Sequence, residues 1–269
     1  MQSYNETEFK ICKENSLYEF IAYTAIGDRE EQQDSFGFEL KNDSLIAVVC
    51  DGMGGHNRGN DASILAVNEL MNILERNKNS ENVPGLFLEA LKETDIKVAS
   101  ITDESGEPVR AGTTAIAVMI KGHDLYWCSV GDSRIYIIRG NEMIQATCDH
   151  TYKLILDSRL AGGEITQDEY EKNAVMGNVL VSFLGAGKLP LTDINQVPFK
   201  LTEGDMIILM SDGLYKYLSD DEMKNIIINF RELNDAVEAL DAKVKRISRK
   251  KQSERDNMTV IIIKIKGDF

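Results

Sequence analysis

Short apolar segments rich in β-branched and aromatic residues recur along most of the chain, and no other feature limits its fold as strongly. They occupy residues 20–26, 44–50, 113–120, 125–130, 134–139, 206–211 and 259–265, each of strand length and bounded by Gly, Asp or Asn. Two stretches instead show helical spacing. Ile64, Val67, Leu70, Met71 and Leu74 fall on one helix face, and Phe87, Leu91, Val98 and Ile101 do so less cleanly. Ser219-Asp220-Asp221-Glu222 reads as a capping box that opens a helix, and Asn234 opens another running to Ser248. Strands, a helix pair, more strands, a mixed stretch, a strand, helices and a last strand do not alternate as a parallel doubly wound sheet requires. The order predicts an α+β fold of mostly antiparallel sheets with helices packed outside. No Gly/Ser-rich or Pro-rich linker and no repeat divides the chain, so residues 1–269 read as one domain. Residues 159–187 are the least regular, with Gly162 and Gly163 adjacent, and read as a surface flap or a long loop.

Charge narrows what such a domain handles. Thirty Lys plus Arg against 44 Asp plus Glu leave a net charge of −14, a field that repels nucleic acid and anionic membrane. Any phosphate must be met by local positive charge. The longest apolar runs, 45–50 and 115–120, are far short of the roughly 20 residues of a membrane-spanning helix. The N-terminus has neither a basic start nor an apolar stretch, so no secretory signal is expected and the expected compartment is the cytoplasm. Cys12, Cys50, Cys128 and Cys148 form no C-x-x-C pair and read as small core residues in a reducing compartment. Histidine is limited to His56, His123 and His150, so acid–base and metal chemistry must lean on carboxylates.

One pattern appears twice. Residues 45–50 lead into Asp51-Gly52, and residues 206–211 lead into Asp212-Gly213. In each, an apolar strand delivers an aspartate at its end, and the glycine lets backbone come close to whatever the carboxylate binds. Each Asp-Gly alone fits a hairpin turn equally well. Asp132, in Gly131-Asp132-Ser133-Arg134, and Asp256, in Arg255-Asp256-Asn257, also stand beside strands, where ordinary turn chemistry is the simpler explanation of each. The set of four changes the balance. Anions converging at one sheet edge repel one another unless cations bind, and hard divalent cations suit oxygen ligands. Magnesium or manganese is therefore expected. Residues 54–59 have P-loop glycine spacing, but Asn60-Asp61 stands where Lys-Ser/Thr must follow. Arg29, in residues 27–34, is either a solvated cation or the local charge for an anionic substrate.

Together these motifs resemble the metal-dependent protein phosphatases of type 2C, in their bacterial single-domain form. The resemblance rests on Gly27-Asp28-Arg29 through Gln33-Asp34, residues 49–56, Gly112-Thr113-Thr114-Ala115, residues 130–134, Gly204-Asp205 with residues 211–214, and residues 255–260. These pieces occur in family order from about Phe20 to Ile265. The resemblance implies a four-layer α-β-β-α sandwich of two mostly antiparallel sheets flanked by helices. It also implies two cations, Mn2+ or Mg2+, held by Asp51, the Gly52 carbonyl, Asp212 and Asp256. Asp34 and Asn257 stand behind these ligands, Asp132 with Asp212 is the position of a third metal, and Arg29 matches the phosphate-binding arginine.

The implied reaction is hydrolysis of phosphoserine and phosphothreonine in proteins by a two-metal-activated water, in line and without a phosphoenzyme. The substrates are then phosphoproteins made by a serine/threonine kinase, and the enzyme is expected to be monomeric. Three positions depart from the family pattern. Gln33 replaces a common Glu, Met53 stands where some members have a proposed acid His, and residues 181–185 lack the Arg usual there. Two other classes compete. A non-catalytic regulatory module would have lost metal-ligand aspartates, and another two-metal hydrolase, such as a nuclease, would need a basic stripe.

Overall fold

The computed structural model describes Tyr4 and residues 7–54, 58–103 and 105–267. The chain opens with β1 (Glu8–Glu14), β2 (Tyr18–Ala25), β3 (Asp34–Leu40) and β4 (Ser44–Met53), followed by α1 (Arg58–Arg76) and α2 (Val83–Ala99). Five strands come next: β5 (Gly112–Thr113), β6 (Ala115–Lys121), β7 (Asp124–Val130), β8 (Arg134–Arg139) and β9 (Glu142–Gln145). Helices α3 (Tyr152–Ala161) and α4 (Gln167–Asn173) precede β10 (Asp193–Ile194), β11 (Phe199–Lys200) and β12 (Met206–Met210). Short α5 (Asp212–Tyr215), α6 (Asp220–Asn229), α7 (Leu233–Lys251) and β13 (Met258–Ile265) complete it.

One sheet has the order β1-β2-β13-β12-β8-β9, and the other β10-β7-β6-β4-β3, with β11 added to β7 and β5 to β4. The pairings among these strands are antiparallel. Their central strands nevertheless read as continuous apolar runs because both faces are covered. In β4, Leu45, Ala47 and Val49 enter the core between the sheets, while Ile46, Val48 and Cys50 face α1 and α2. In β13, Ile261, Ile263 and Ile265 fill the same inter-sheet core, while Val260 and Ile262 pack with Leu233, Val237 and Leu240 of α7. The layers are helix, sheet, sheet, helix, as expected.

Each predicted strand and helix is present, with instructive shifts. The 113–120 segment breaks at Thr114 into β5 and β6, because the Thr114 hydroxyl is turned to Ser133 and to the Asp51 amide. On α1, Ala62 and Ala66 fill the buried face, and Ile64 is only half-buried. The capping box at Ser219 forms in both directions with Glu222. Asn234 does not open α7. Glu232 takes the extended cap position so that Leu233 can enter the core. The 159–187 stretch holds the end of α3, all of α4 and a 3-10 turn at Ala174–Met176, with irregular connections between and after them. Helix α4 buries no residue and so has no apolar periodicity to reveal it; the Thr166–Glu169 capping box starts it instead. Only Cys50 and Cys128 are core cysteines. Cys12 lies exposed on edge strand β1 and Cys148 exposed after β9.

Candidate active site

Both sheets present acids at one rim. Strand β4 runs past the predicted end through Asp51, which pairs directly across from Asp34 of β3. In the other sheet, β12 ends at Met210, Ser211 takes an extended cap position, and Asp212 begins α5. Ser211 connects the two systems. Its hydroxyl donates to Asp34 Oδ2 at 2.7 Å and accepts from the Thr259 amide at 2.9 Å. The Asp51 backbone is fixed in turn: its carbonyl accepts from the Thr114 amide at 2.8 Å and the Thr113 hydroxyl at 2.9 Å.

The glycines after the two aspartates admit neighbouring backbone, not space for a ligand. A Cβ on Gly52 would stand 2.0 Å from the Gly59 carbonyl oxygen, and one on Gly213 would stand 1.9 Å from the Asn257 carbonyl oxygen. These contacts lock the start of α1 and the start of β13 against the acid-bearing segments. Gly55 and His56 lie outside the described residues.

Four of the acids are held above their ordinary range. Burial is the main cause at Asp51, pushed well up and further raised by Asp34, Asp212, Asp132 and Asp256. Asp34 is fully buried and pushed up to about 7, against the opposing hydrogen bonds from Ser211 and Thr259. Burial and then Asp212 push Asp132 up to about 6. Burial also raises Asp212, with Lys216 opposing. Ionised together, these groups need positive charge, and the chain supplies part of it. Lys216 Nζ contacts Asp212 Oδ2 and stands 3.9 Å from Asp256 Oδ2, while Arg29 is 3.0 Å from Asp256 Oδ2.

The loop carrying Arg29 is held from below by Asn257. Asn257 Oδ1 accepts from the Gln33 amide at 2.8 Å, and its Nδ2 donates to the Ile26 and Glu31 carbonyls at 2.8 and 3.0 Å. Arg255 adds a bidentate grip on Asp28. Gly27, at φ +71°, passes so close to the Asp256 carbonyl that a Cβ would lie 2.3 Å from it. Arg29 itself is half-exposed over a cleft of about 630 Å³ that also touches Gln33, Asp51, Gly52, Asp212 and Asp256. Asp132 faces a second cavity of about 400 Å³, which shares Asp51, Met53 and Asp212 with the first.

All the predicted site residues therefore meet at this rim, Asp132 on its far side. Among the described residues no three Asp, Glu, His or Cys side chains are already closed to metal-ligating geometry. Asp212 and Asp256 pair instead with Lys216 and Arg29, and Asp34 with Ser211. The donor set still fits a hard divalent cation: it is all oxygen, and the buried Asp212 Oδ1 has no hydrogen-bond partner among the described residues. Lys216 and Tyr215, whose hydroxyl donates to the Asp132 carbonyl at 2.9 Å, were not picked out by sequence. Asp212 and Lys216 stand four residues apart, a spacing that signals such a pair once α5 is recognised. The segment at 181–185 is structural: Leu184 exchanges two backbone hydrogen bonds with Thr113, and the Gly185 amide donates to Asp95.

The family described as protein phosphatase 2C matches residues 23–247. The serine/threonine phosphatase stp of Listeria welshimeri is 28% identical over 239 residues, which are 87% of this chain and 90% of the relative. Among solved structures, the S. agalactiae serine/threonine phosphatase is 25% identical with a TM-score of 0.75, covering 93% of this chain and 100% of that one. The catalytic domain of the phosphatase PstP, solved with two manganese ions, is 23% identical with a TM-score of 0.71, over 93% of this chain and 99% of that one, and shares the fold.

Proposed function

The chain belongs to the protein phosphatase 2C family, and we propose on that premise that its acidic rim is the catalytic centre of a metal-dependent protein serine/threonine phosphatase. The observation that carries this reading is the gathering of Asp34, Asp51, Asp132 and Asp212, all raised above the ordinary carboxylate range, beside a cleft edged by Arg29. Asp51, Asp212 and Asp256, with the Gly52 carbonyl, would hold two Mn2+ or Mg2+ ions. Such a pair, when bound, lowers the pKa of water towards roughly 7 and supplies the nucleophile at neutral pH.

The remaining work falls to the protein's own groups. Arg29 exchanges its exposed pairing with Asp256 for the phosphate oxygens of the substrate, to which its planar fork is matched, and stabilises their charge as phosphorus is attacked in line. Asp34, anchored by Ser211, stands behind Asp51 and accepts hydrogen bonds from water at the centre. Asn257 keeps the Arg29 loop in register. No phosphoenzyme is part of this reading.

Residues 1–269 act as one catalytic domain, a monomer in the cytoplasm, on phosphoproteins made by a serine/threonine kinase. Among the described residues no helix is long and apolar enough to cross a membrane, and the net charge of −14 disfavours nucleic acid. The test is hydrolysis of a phosphothreonine peptide with Mn2+, with Mg2+ and in chelator. Activity should require metal and fall on the order of a hundredfold or more in Asp51→Asn and Asp212→Asn. Arg29→Ala should mainly raise KM, by roughly tenfold. Full activity of either aspartate variant, or of wild type in chelator, overturns the metal assignment.

A further inference from the structure

Lys216 is an unusual neighbour for a centre built to gather cations. It closes the turn of α5, its amide donating to the Asp212 carbonyl at 3.0 Å, and its ammonium returns to Asp212 Oδ2 four residues earlier. Tyr215, one residue before it, is pinned from two sides. Its ring lies under the Arg134 guanidinium at 3.7 Å, and its hydroxyl donates to the Asp132 carbonyl. Because Arg134 is held by Asp149 through two hydrogen bonds, Tyr215 is anchored on the α5 turn that carries Lys216. Lys216 and Asp132 line the same cavity of about 400 Å³, and Asp256 Oδ2 stands 3.9 Å from the ammonium.

A divalent ion approaching Asp212 from this cavity meets one carboxylate oxygen already taken and a positive charge beside it. Repulsion between two cations a few ångströms apart is large at the rim of a protein, even allowing for the half-exposure of Lys216. The other carboxylate oxygen, Asp212 Oδ1, has no hydrogen-bond partner among the described residues and stays available to an ion. We propose that the Lys216 ammonium fills the position at Asp212, within the cavity shared with Asp132, that a further divalent cation would take. The centre then carries two metals and one tethered cation. This inference rests on the two-metal reading above.

Equilibrium dialysis of the purified full chain against Mn2+, with bound metal counted directly, separates the two. Wild type should bind two Mn2+ per chain, and Lys216→Met should bind a third. That third ion should be lost again in the double variant Lys216→Met/Asp132→Asn, and Lys216→Arg, which keeps the charge, should bind two. In chelator, Lys216→Met should also melt about 3 °C below wild type, because uncompensated acids remain. Saturating Mn2+ should abolish that gap. Lys216→Gln gives the same comparison without a long apolar side chain, and circular dichroism verifies the fold of each variant. Two Mn2+ in both wild type and Lys216→Met overturns the tethered-cation role and leaves the two-metal centre standing, as does three in wild type. No Mn2+ bound by wild type overturns both.

Discussion

Replacing Asn257 with alanine tests how the rim is assembled without touching a proposed metal ligand. The side chain is buried and makes three hydrogen bonds, all to backbone groups of the loop that carries Arg29. Each contributes about 1 kcal/mol net, and truncation strands three main-chain groups in a partly buried setting. The expected loss is about 3 kcal/mol, or a melting point lower by about 6–12 °C for a chain of this size. Urea unfolding gives the free energy and scanning calorimetry the shift. Because Arg29 rides on the released loop while Asp51 and Asp212 sit on β4 and α5, KM for a phosphopeptide should rise more than kcat falls. Asn257→Asp retains the acceptor for the Gln33 amide but loses both donors, so it should regain at most about a third of the stability. A loss below about 0.5 kcal/mol with KM unchanged would show that the loop is held by something else.

Two further outcomes are expected. Gly213→Ala places a Cβ 1.9 Å from the Asn257 carbonyl oxygen, so α5 must shift, at a cost of about 2–3 kcal/mol. Mn2+ affinity measured by titration calorimetry should drop with it, and unaltered stability and affinity would show that the close approach is relaxed freely. The second outcome concerns pH. Burial and then Asp212 push the Asp132 carboxyl up to about 6 in the folded chain, against an ordinary value of 3.8. Between those values the folded state holds a proton that the unfolded state has released, so this group's contribution makes stability fall as pH rises from about 4 to 6. In chelator Asp132→Asn should therefore gain stability relative to wild type across that window, measured as the difference in urea midpoint, and a constant difference with pH would contradict it.

The parts legible in sequence are those where a residue's neighbours are near it along the chain. The runs at 44–50 and 206–211 announce strands because both their faces are apolar, and Ser219 and Glu222 announce a helix because the cap is local. Strand β1 escaped notice because Lys and Glu alternate with Phe9 and Ile11 on an edge strand with one solvated face. Strand β3 escaped because its first residue is Asp34, a buried acid no propensity would place in a sheet. The aspartates could be named from their positions beside apolar runs, and the fold gathers them as expected. The roles of Ser211, Thr114 and Asn257 could not be read that way, since their partners lie 177, 63 and 224 residues away. The glycines of both Asp-Gly pairs do permit a close approach, but the approaching group is backbone of this same chain.

Helices cover the outer face of each sheet, and the inner faces are sealed against each other. A substitution on either face of a central strand is therefore a change to packing, and such changes are paid in stability. The rims are different. Residues 28–33, 132–134, 152–180 and 254–257 cross or border the acidic edge and bury few side chains, Leu156 being the one core hydrophobic among them. Three of these connections carry Arg29, Asp132, Asp256 and Asn257 and are tied to the site, so freedom to vary what the scaffold recognises is left mainly to the α3–α4 region. An engineer seeking a new target preference should vary the α3–α4 region, and can leave every strand and the Arg29 loop as they stand.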